Sequence, residues 1–198
     1  MAAAADETPD NHALANFFYE AGQLKRVKRS GWWTINIKDP ESVAEHSFRA
    51  AVIGFALARL EHANTERVTL MCVFNDFHEA RLNDLHKVGH RYIDFKEAET
   101  RAHREQMEPL GMLGKELFAL HEEFQQQKTK ESLVARDADL LEGLVQAREY
   151  QKIGYADAQN WIDNIRKILV TPSAKRLAAA LEQADPNDWW RGLKKSER

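Results

Sequence analysis

Apolar residues return every three or four positions along most of this 198-residue chain. That spacing is typical of amphipathic α-helices that pack on one another. Capping residues and breaks punctuate the pattern, so it predicts helices at about residues 14–27, 42–62, 64–82, 96–107, 130–150, 157–169 and 173–183, with a further helix that ends near residue 127 after a break at 109–114. Residues 32–37 are expected to be a short extended stretch, which ends at Asp39-Pro40.

No internal repeat or low-complexity linker divides the chain, and its length suits one domain. The predicted fold class is therefore all-α, a single-domain helical bundle. We place the domain at residues 12–184, between a disordered tail at 1–11 and a C-terminal tail at 185–198.

The composition of the chain argues against several classes of function. The net charge is −3, from 28 basic and 31 acidic residues, so the chain has no basic field for nucleic acid. The longest apolar stretch, residues 50–58, is far shorter than the roughly 20 residues that span a bilayer. No basic and apolar leader is seen at the amino terminus, and one cysteine, Cys72, excludes an internal disulfide. We expect a cytoplasmic protein that binds neither nucleic acid nor membrane, with Cys72 as an inert core thiol.

Three predicted helices carry ionisable residues beside their apolar faces. These residues are His46, the pair Asp76 and Glu79, and Asp139. Imidazole and carboxylate donors that meet from several helices can hold a divalent cation. Such a cation polarises phosphoryl oxygens and makes water more acidic. Taken singly, each residue is more often capped, solvated or paired than ligating.

Four segments, in order, resemble those of the HD-domain metal-dependent phosphohydrolases, in the branch that includes 5′-deoxynucleotidases. They span residues 14–150 and read Lys28-Arg29-Ser30-Gly31-Trp32, Pro40-Glu41-Ser42-Val43-Ala44-Glu45-His46-Ser47, Asn75-Asp76-Phe77-His78-Glu79-Ala80-Arg81-Leu82-Asn83-Asp84, and Arg136-Asp137-Ala138-Asp139-Leu140-Leu141-Glu142 with Gln146-Ala147-Arg148-Glu149-Tyr150 after it. Each motif alone is weak, but four in register are strong. The resemblance implies an HD-type bundle.

The resemblance also implies a role for each matching position. The metal ligands fall on His46, Asn75, Asp76 and Asp139, and the catalytic glutamate, as general base or general acid, on Glu79. The substrate contacts fall on Arg29, which would hold phosphate, on Trp32, with Trp33 as an equal alternative, and on Asp84, which would accept a sugar hydroxyl.

One position departs from the family pattern, because Asn75 stands where the family has the histidine of its His-Asp pair. An amide oxygen binds hard cations but is a poorer donor to transition metals than imidazole. His78 would point about 200° away from Asp76 on a continuous helix and is not a simple replacement. The site either keeps a cation with weakened affinity, which we favour, or has lost catalysis and retains a nucleotide-shaped pocket.

Each role has an ordinary structural alternative. His46 could be a hydrogen-bonded core histidine, and Asp76 and Asp139 could pair with arginines. Glu79 could be a surface partner on its helix, and Asp84 a loop residue after it. Arg29 could belong to a solvated basic face, and Trp32 could pack in the core or at a dimer contact.

The predicted function is a phosphohydrolase that uses Mn²⁺, Mg²⁺ or Co²⁺ to remove the 5′-phosphate from (deoxy)ribonucleoside monophosphates. The alternatives are a catalytically weakened or inactive nucleotide-binding protein, and an HD enzyme for another phosphate ester or anhydride. The resemblance also implies a homodimer. The sequence leaves open the preferred base and sugar, the physiological metal and the effect of Asn75.

Overall fold

The computed structural model describes residues 8–193, and the ends of both predicted tails, residues 1–7 and 194–198, lie outside the described residues. Nine α-helices account for most of the described chain. They are α1 (Asn11–Gln23), α2 (Val43–Leu60), α3 (Thr65–Phe74), α4 (Glu79–Leu82), α5 (Phe95–Met107), α6 (Gly111–Gln126), α7 (Lys130–Lys152), α8 (Gln159–Ile168) and α9 (Pro172–Gln183). Within residues 8–193 the β pairing is one antiparallel bridge, between Lys28 and Ser42. The all-α prediction is confirmed.

Polar caps fix where the central helices begin. The Ser42 side chain accepts from the backbone N–H of Glu45, whose carboxylate returns to the Ser42 backbone, so α2 starts with a full capping box. Asn64 caps α3, and Thr129 caps α7. These short polar side chains satisfy backbone N–H groups that have no partner inside a helix.

The centre of the bundle is formed by α2, α3 and α7, which pack on one another over a shared apolar core. The small residue Gly54 sets the approach of α2 to α3. A β-carbon at Gly54 would lie 2.7 Å from Sγ of Cys72 and 3.3 Å from Val68. Cys72 is a buried free thiol, as its apolar run predicted, and burial raises its pKa. This close packing brings together the helices that carry His46 and Asp139 and the turn after α3 that carries Asp76.

Two local predictions were wrong. Ser30–Ile35 form a 3₁₀ helix rather than an extended stretch, and the Trp32 side chain within it is buried. The helix that begins at Thr65 ends at Phe74, whereas the pattern predicted it to about residue 82. Residues 75–78 form a turn before the single helical turn of α4. Asp76 and His78, two residues apart in this turn, point to different sides of the chain, as they would on a continuous helix.

Candidate active site

His46 lies at the point where three chain segments meet. Its Nε2 is 2.9 Å from Oδ1 of Asp139, on α7, and 3.5 Å from Oδ2 of Asp76, in the turn after α3. The imidazole is fully buried, whereas the two carboxylates are slightly exposed. The three residues therefore offer donor atoms close enough to share one cation.

The second ring nitrogen of His46 is held from behind. Its Nδ1 donates a short hydrogen bond to Glu142, which is itself buried one helical turn after Asp139. Arg49 donates from Nε to the other Glu142 oxygen at 2.8 Å. An outer partner of this kind fixes the orientation of a metal-ligating imidazole and makes it a stronger donor.

The surrounding charges govern the protonation of His46. Burial and the charge of Arg29 lower its pKa, but Glu142 and Asp139 outweigh them and raise the pKa to about 10. The pKa of Asp139 is pulled below its usual range, because hydrogen bonding to His46 and the charge of Arg136 overcome the effect of burial. Since a metal ligand must be deprotonated, a cation at Nε2 would displace a proton.

Arg29, Glu79 and Asp84 surround Asp76. Nη1 of Arg29 is 3.7 Å from Asp76 and 3.8 Å from Asp84, and the backbone N–H of Ser30 donates to the second oxygen of Asp84 at 2.5 Å. Glu79 is buried, and this burial, together with the charges of Asp76 and Asp84, raises its pKa well above the ordinary value. Arg29, Glu79 and Asp84 thus lie in one charged group with the three possible metal ligands, His46, Asp76 and Asp139.

Asn75, at the departure from the family pattern, is buried beside Asp76. Its amide nitrogen donates to Oδ1 of Asp76 at 2.8 Å. Its Oδ1 atom is buried without a hydrogen-bond partner in the described part of the chain. One imidazole, two carboxylates and a buried amide oxygen with no partner form a donor set that suits a divalent cation of hard or borderline character.

Trp32 lies in the core, and only 3% of it is exposed. Its ring stacks on Trp161 and meets the edge of Tyr150, and its Nε1 donates to Glu41 at 3.1 Å. The indole therefore offers almost no surface to a ligand, in contrast to Trp33, which is about half exposed. The environment of Trp32 is therefore that of a core residue, which was the structural alternative to a substrate contact.

Residues 21–181 match the sequence profile described as "HD domain", which is more than half of the chain. The chain belongs to the HD domain family. It is 32% identical over 182 residues to "5'-deoxynucleotidase HDDC2" of Dictyostelium discoideum, an alignment that covers 84% of this chain and 95% of the relative. It is 29% identical over 192 residues to the protein of the same name from Homo sapiens, with 92% of each chain covered.

A solved structure also resembles the chain. A conserved hypothetical protein from Pyrococcus furiosus superposes with a TM-score of 0.72 at 26% identity, and the match covers 86% of this chain and 99% of that one. HD domains of this family are metal-dependent phosphohydrolases, so the chain is an HD-domain phosphohydrolase and its family implies a divalent metal. No helix among residues 8–193 is long and apolar enough to cross a membrane.

The HD domain also holds a cleft of about 580 Å³ beside the charged group. Glu41, Arg49 and Tyr150 line it together with the apolar side chains of Phe48 and Val52. Its lining does not include His46, Asp76 or Asp139. Burial, followed by the nearby charge of Glu142, raises the pKa of Glu41 to about 7.

Sequence reasoning gave no role to several residues of this HD domain. Glu142 stands in the fourth motif, three residues after Asp139, and that spacing was the available signal. Glu41 and Arg49 complete the network behind His46. A separate cluster of three buried histidines, at positions 78, 103 and 121, was not predicted, because its members come from distant segments with no shared motif.

Proposed function

We propose that this HD-domain phosphohydrolase removes the 5′-phosphate from (deoxy)ribonucleoside monophosphates. Relatives at about 30% identity over most of the chain are named 5′-deoxynucleotidases. The observation that carries the proposal is the convergence of His46, Asp76 and Asp139 on one point, with Arg29 and Asp84 beside it. Such a site combines a place for a cation with a positive charge and a hydrogen-bond acceptor for the rest of the substrate.

The proposed cation is held by His46, Asp76 and Asp139, with Oδ1 of Asn75 as a fourth donor. Mg²⁺, Mn²⁺ and Co²⁺ are the candidates, because oxygen donors outnumber the single imidazole. When bound, the cation supplies electrostatic stabilisation of the charge that develops on the phosphoryl group, and it makes water more acidic.

The protein groups have separate tasks in the proposed reaction. Arg29 is permanently charged, and its guanidinium matches phosphate oxygens in geometry, so it neutralises the substrate phosphate. Asp84, held by the backbone of Ser30, accepts a hydrogen bond from a sugar hydroxyl. Glu79 is the group that holds and transfers a proton, and its burial next to other carboxylates suits this task. We assign Trp32 to holding Glu41 in place, through the bond from its indole nitrogen.

The test is phosphate release from a panel of ribo- and deoxyribonucleoside 5′-monophosphates. The protein is first stripped of metal and then supplied with Mg²⁺, Mn²⁺ or Co²⁺. We expect metal-dependent release that falls by about 10²–10⁴-fold in Glu79→Gln, which keeps the size of the side chain but removes its proton transfer. Glu66→Gln, at an exposed position of α3, is the matched control and should retain full activity.

Activity without added metal, or equal activity in Glu79→Gln, would contradict the proposal. The alternative of a nucleotide-binding protein without catalysis predicts thermal stabilisation by nucleotide and no phosphate release. The survival of Glu79, Arg29 and Asp84 around one point argues against that alternative, because binding alone does not require a buried group that can transfer a proton.

We also propose a cytoplasmic homodimer. The single cysteine is a buried free thiol, which suits a reducing compartment. Phe48, Val52 and Phe55 follow one face of α2 at helical spacing and are each more than half exposed. An exposed apolar stripe of this kind is typical of a protein interface, and it borders the cleft beside the active site.

A further inference from the structure

Three buried histidines meet on the side of the domain formed by α5 and α6. His78 comes from the turn before α4, His103 from α5 and His121 from α6. All three are almost completely buried, with exposures of 3%, 0% and 4%. His78 follows Asp76 by two residues, so the same turn contributes one side chain to the active site and one to this cluster.

The ring nitrogens of this cluster lack ordinary partners. Both nitrogens of His103, both of His121 and Nδ1 of His78 are buried without a hydrogen bond of normal geometry to any residue in the range 8–193. The backbones of Leu117 and Asn75 come close enough to His103 and His121, respectively, to act on their pKa values as weak hydrogen-bond partners. The remaining nitrogen, Nε2 of His78, is 3.7 Å from Oε1 of Glu99. Even with one weak backbone partner for each of the His103 and His121 rings, three of the five nitrogens have none, and because buried polar atoms without partners are costly, the cluster has room for a ligand.

The arrangement also suits a cation in its charge and spacing. One nitrogen from each ring lies within 4.8 Å of the other two. Burial, followed by the other histidines of the cluster, lowers the pKa of His103 to about 2 and that of His121 to about 4. Neutral imidazoles keep a free lone pair, which is the form that binds metal.

We propose that His78, His103 and His121 form a second metal site that binds Zn²⁺ or a similar transition-metal cation, with Glu99 as the fourth ligand. Imidazole nitrogen is a preferred donor for these metals, and three histidines with a carboxylate complete a tetrahedron. The set differs from the active site, where oxygen donors prevail.

Binding requires His103 and His121 to reorient. Zn–N bonds of about 2.0–2.1 Å in a tetrahedron bring the nitrogens to about 3.3 Å from one another. His103 and His121 now stack with centroids 4.1 Å apart and planes inclined by 14°. Since the lone pairs lie in the ring planes, the two rings must tilt toward a common point. The cation would tie α5 and α6 to the turn that carries Asp76, as structural metal sites tie chain segments together.

The experiment counts zinc in the full-length protein after metal stripping, incubation with Zn²⁺ and desalting. It is done in His46→Gln protein, so that zinc bound at the active site is not counted. Among residues 8–193, His46 belongs to both of the other groups of side chains that could hold a metal. We expect one tightly held zinc per chain, which is lost when His103→Gln or His121→Gln is added. His12→Gln, at an exposed position of α1, is the matched control and should keep the zinc.

The visible absorption of bound Co²⁺ can be measured in the His46→Gln protein, in which the three cluster histidines are unchanged. Co²⁺ added to the stripped His46→Gln protein should give the intense visible absorption of a tetrahedral site, and Glu99→Gln should weaken Co²⁺ binding by tenfold or more. Absence of retained zinc and of that absorption in folded His46→Gln protein would overturn the proposal. So would equal zinc content in folded His103→Gln and His12→Gln variants.

Discussion

Two aspartates of α7, only two positions apart, have different roles. Asp137 is fully buried and accepts hydrogen bonds from the backbone N–H groups of Val170 and Thr171, at 3.0 and 2.6 Å. Asp139 points to the opposite side of the helix, because two residues subtend about 200°, and meets His46. Asp137 therefore fixes the chain before α9, whereas Asp139 belongs to the active site.

Asn75 is the residue at which the chemistry of the site is most readily tested. In Asn75→His an imidazole replaces an amide oxygen, and imidazole is the stronger donor to Co²⁺, a cation of borderline character. We expect Co²⁺ to bind about tenfold more tightly, by calorimetric titration of stripped protein, and phosphate release to stay equal or increase. Asn160→His, which adds an exposed imidazole on α8, is the control. Loss of both binding and activity would contradict the assignment of Asn75 as a ligand.

At the scale of elements, the active site depends on how closely α2 approaches α3. Gly54 has no side chain at the contact, and Cys72 fills the space opposite. Close packing at this point fixes the distance between the helix that carries His46 and the turn that carries Asp76. A larger residue would force the two elements apart, because packed interiors have little spare volume.

We therefore predict that Gly54→Ala lowers the free energy of unfolding by about 1–2 kcal/mol, although alanine has the better helix propensity. Chemical denaturation measures this change. Gly22→Ala, in α1 where a β-carbon meets nothing within 4 Å, should instead stabilise the protein by up to about 1 kcal/mol. Adding Cys72→Ala should make Gly54→Ala less damaging. An unchanged or higher stability in Gly54→Ala would show that the contact is not tight.

The helices were predictable from the sequence because their apolar spacing and caps are local features. Asn64 and Thr129 cap α3 and α7 through hydrogen bonds within the first turn. The end of α3 at Phe74 was not predictable in this way, since the apolar pattern continues through Phe77. Asp76 and His78 nevertheless point to different sides, toward His46 and toward α5 and α6, as they would on a continuous helix.

The predicted site residues came from motif order rather than from periodicity. His46, Asp76 and Asp139 lie on segments far apart in sequence, and spacing alone does not reveal that they meet. Trp32 illustrates the limit of a motif, because a tryptophan at a matching position can serve the core, as the stacking on Trp161 indicates. The histidine cluster matched no motif and needed three-dimensional proximity to be found.

At the scale of the whole molecule, the exposed stripe on α2 lies next to the cleft beside the active site. Phe48, Val52 and Phe55 are left in solvent by the single chain. A stable dimer commonly buries about 800 Å² on each partner, with an apolar centre. A second copy of the chain packed on this stripe would cover it and border the cleft.

Light scattering coupled to size-exclusion chromatography tests this arrangement. We expect the wild-type protein to be a dimer and Phe55→Glu to be a monomer, because a charge at the centre of an apolar interface is costly to bury. Tyr19→Glu, at an exposed aromatic position of α1, should remain dimeric. A monomeric wild-type protein would contradict the proposed dimer, and a dimeric Phe55→Glu variant would exclude the α2 stripe as its interface.

In the proposed active site, one divalent cation binds between three segments of the bundle. Anomalous X-ray diffraction from crystals soaked with Mn²⁺ tests it most directly. We predict a manganese peak at coordination distance, about 2 Å, from Nε2 of His46 and from carboxylate oxygens of Asp76 and Asp139. Manganese bound elsewhere, with no peak among these three side chains, would contradict it.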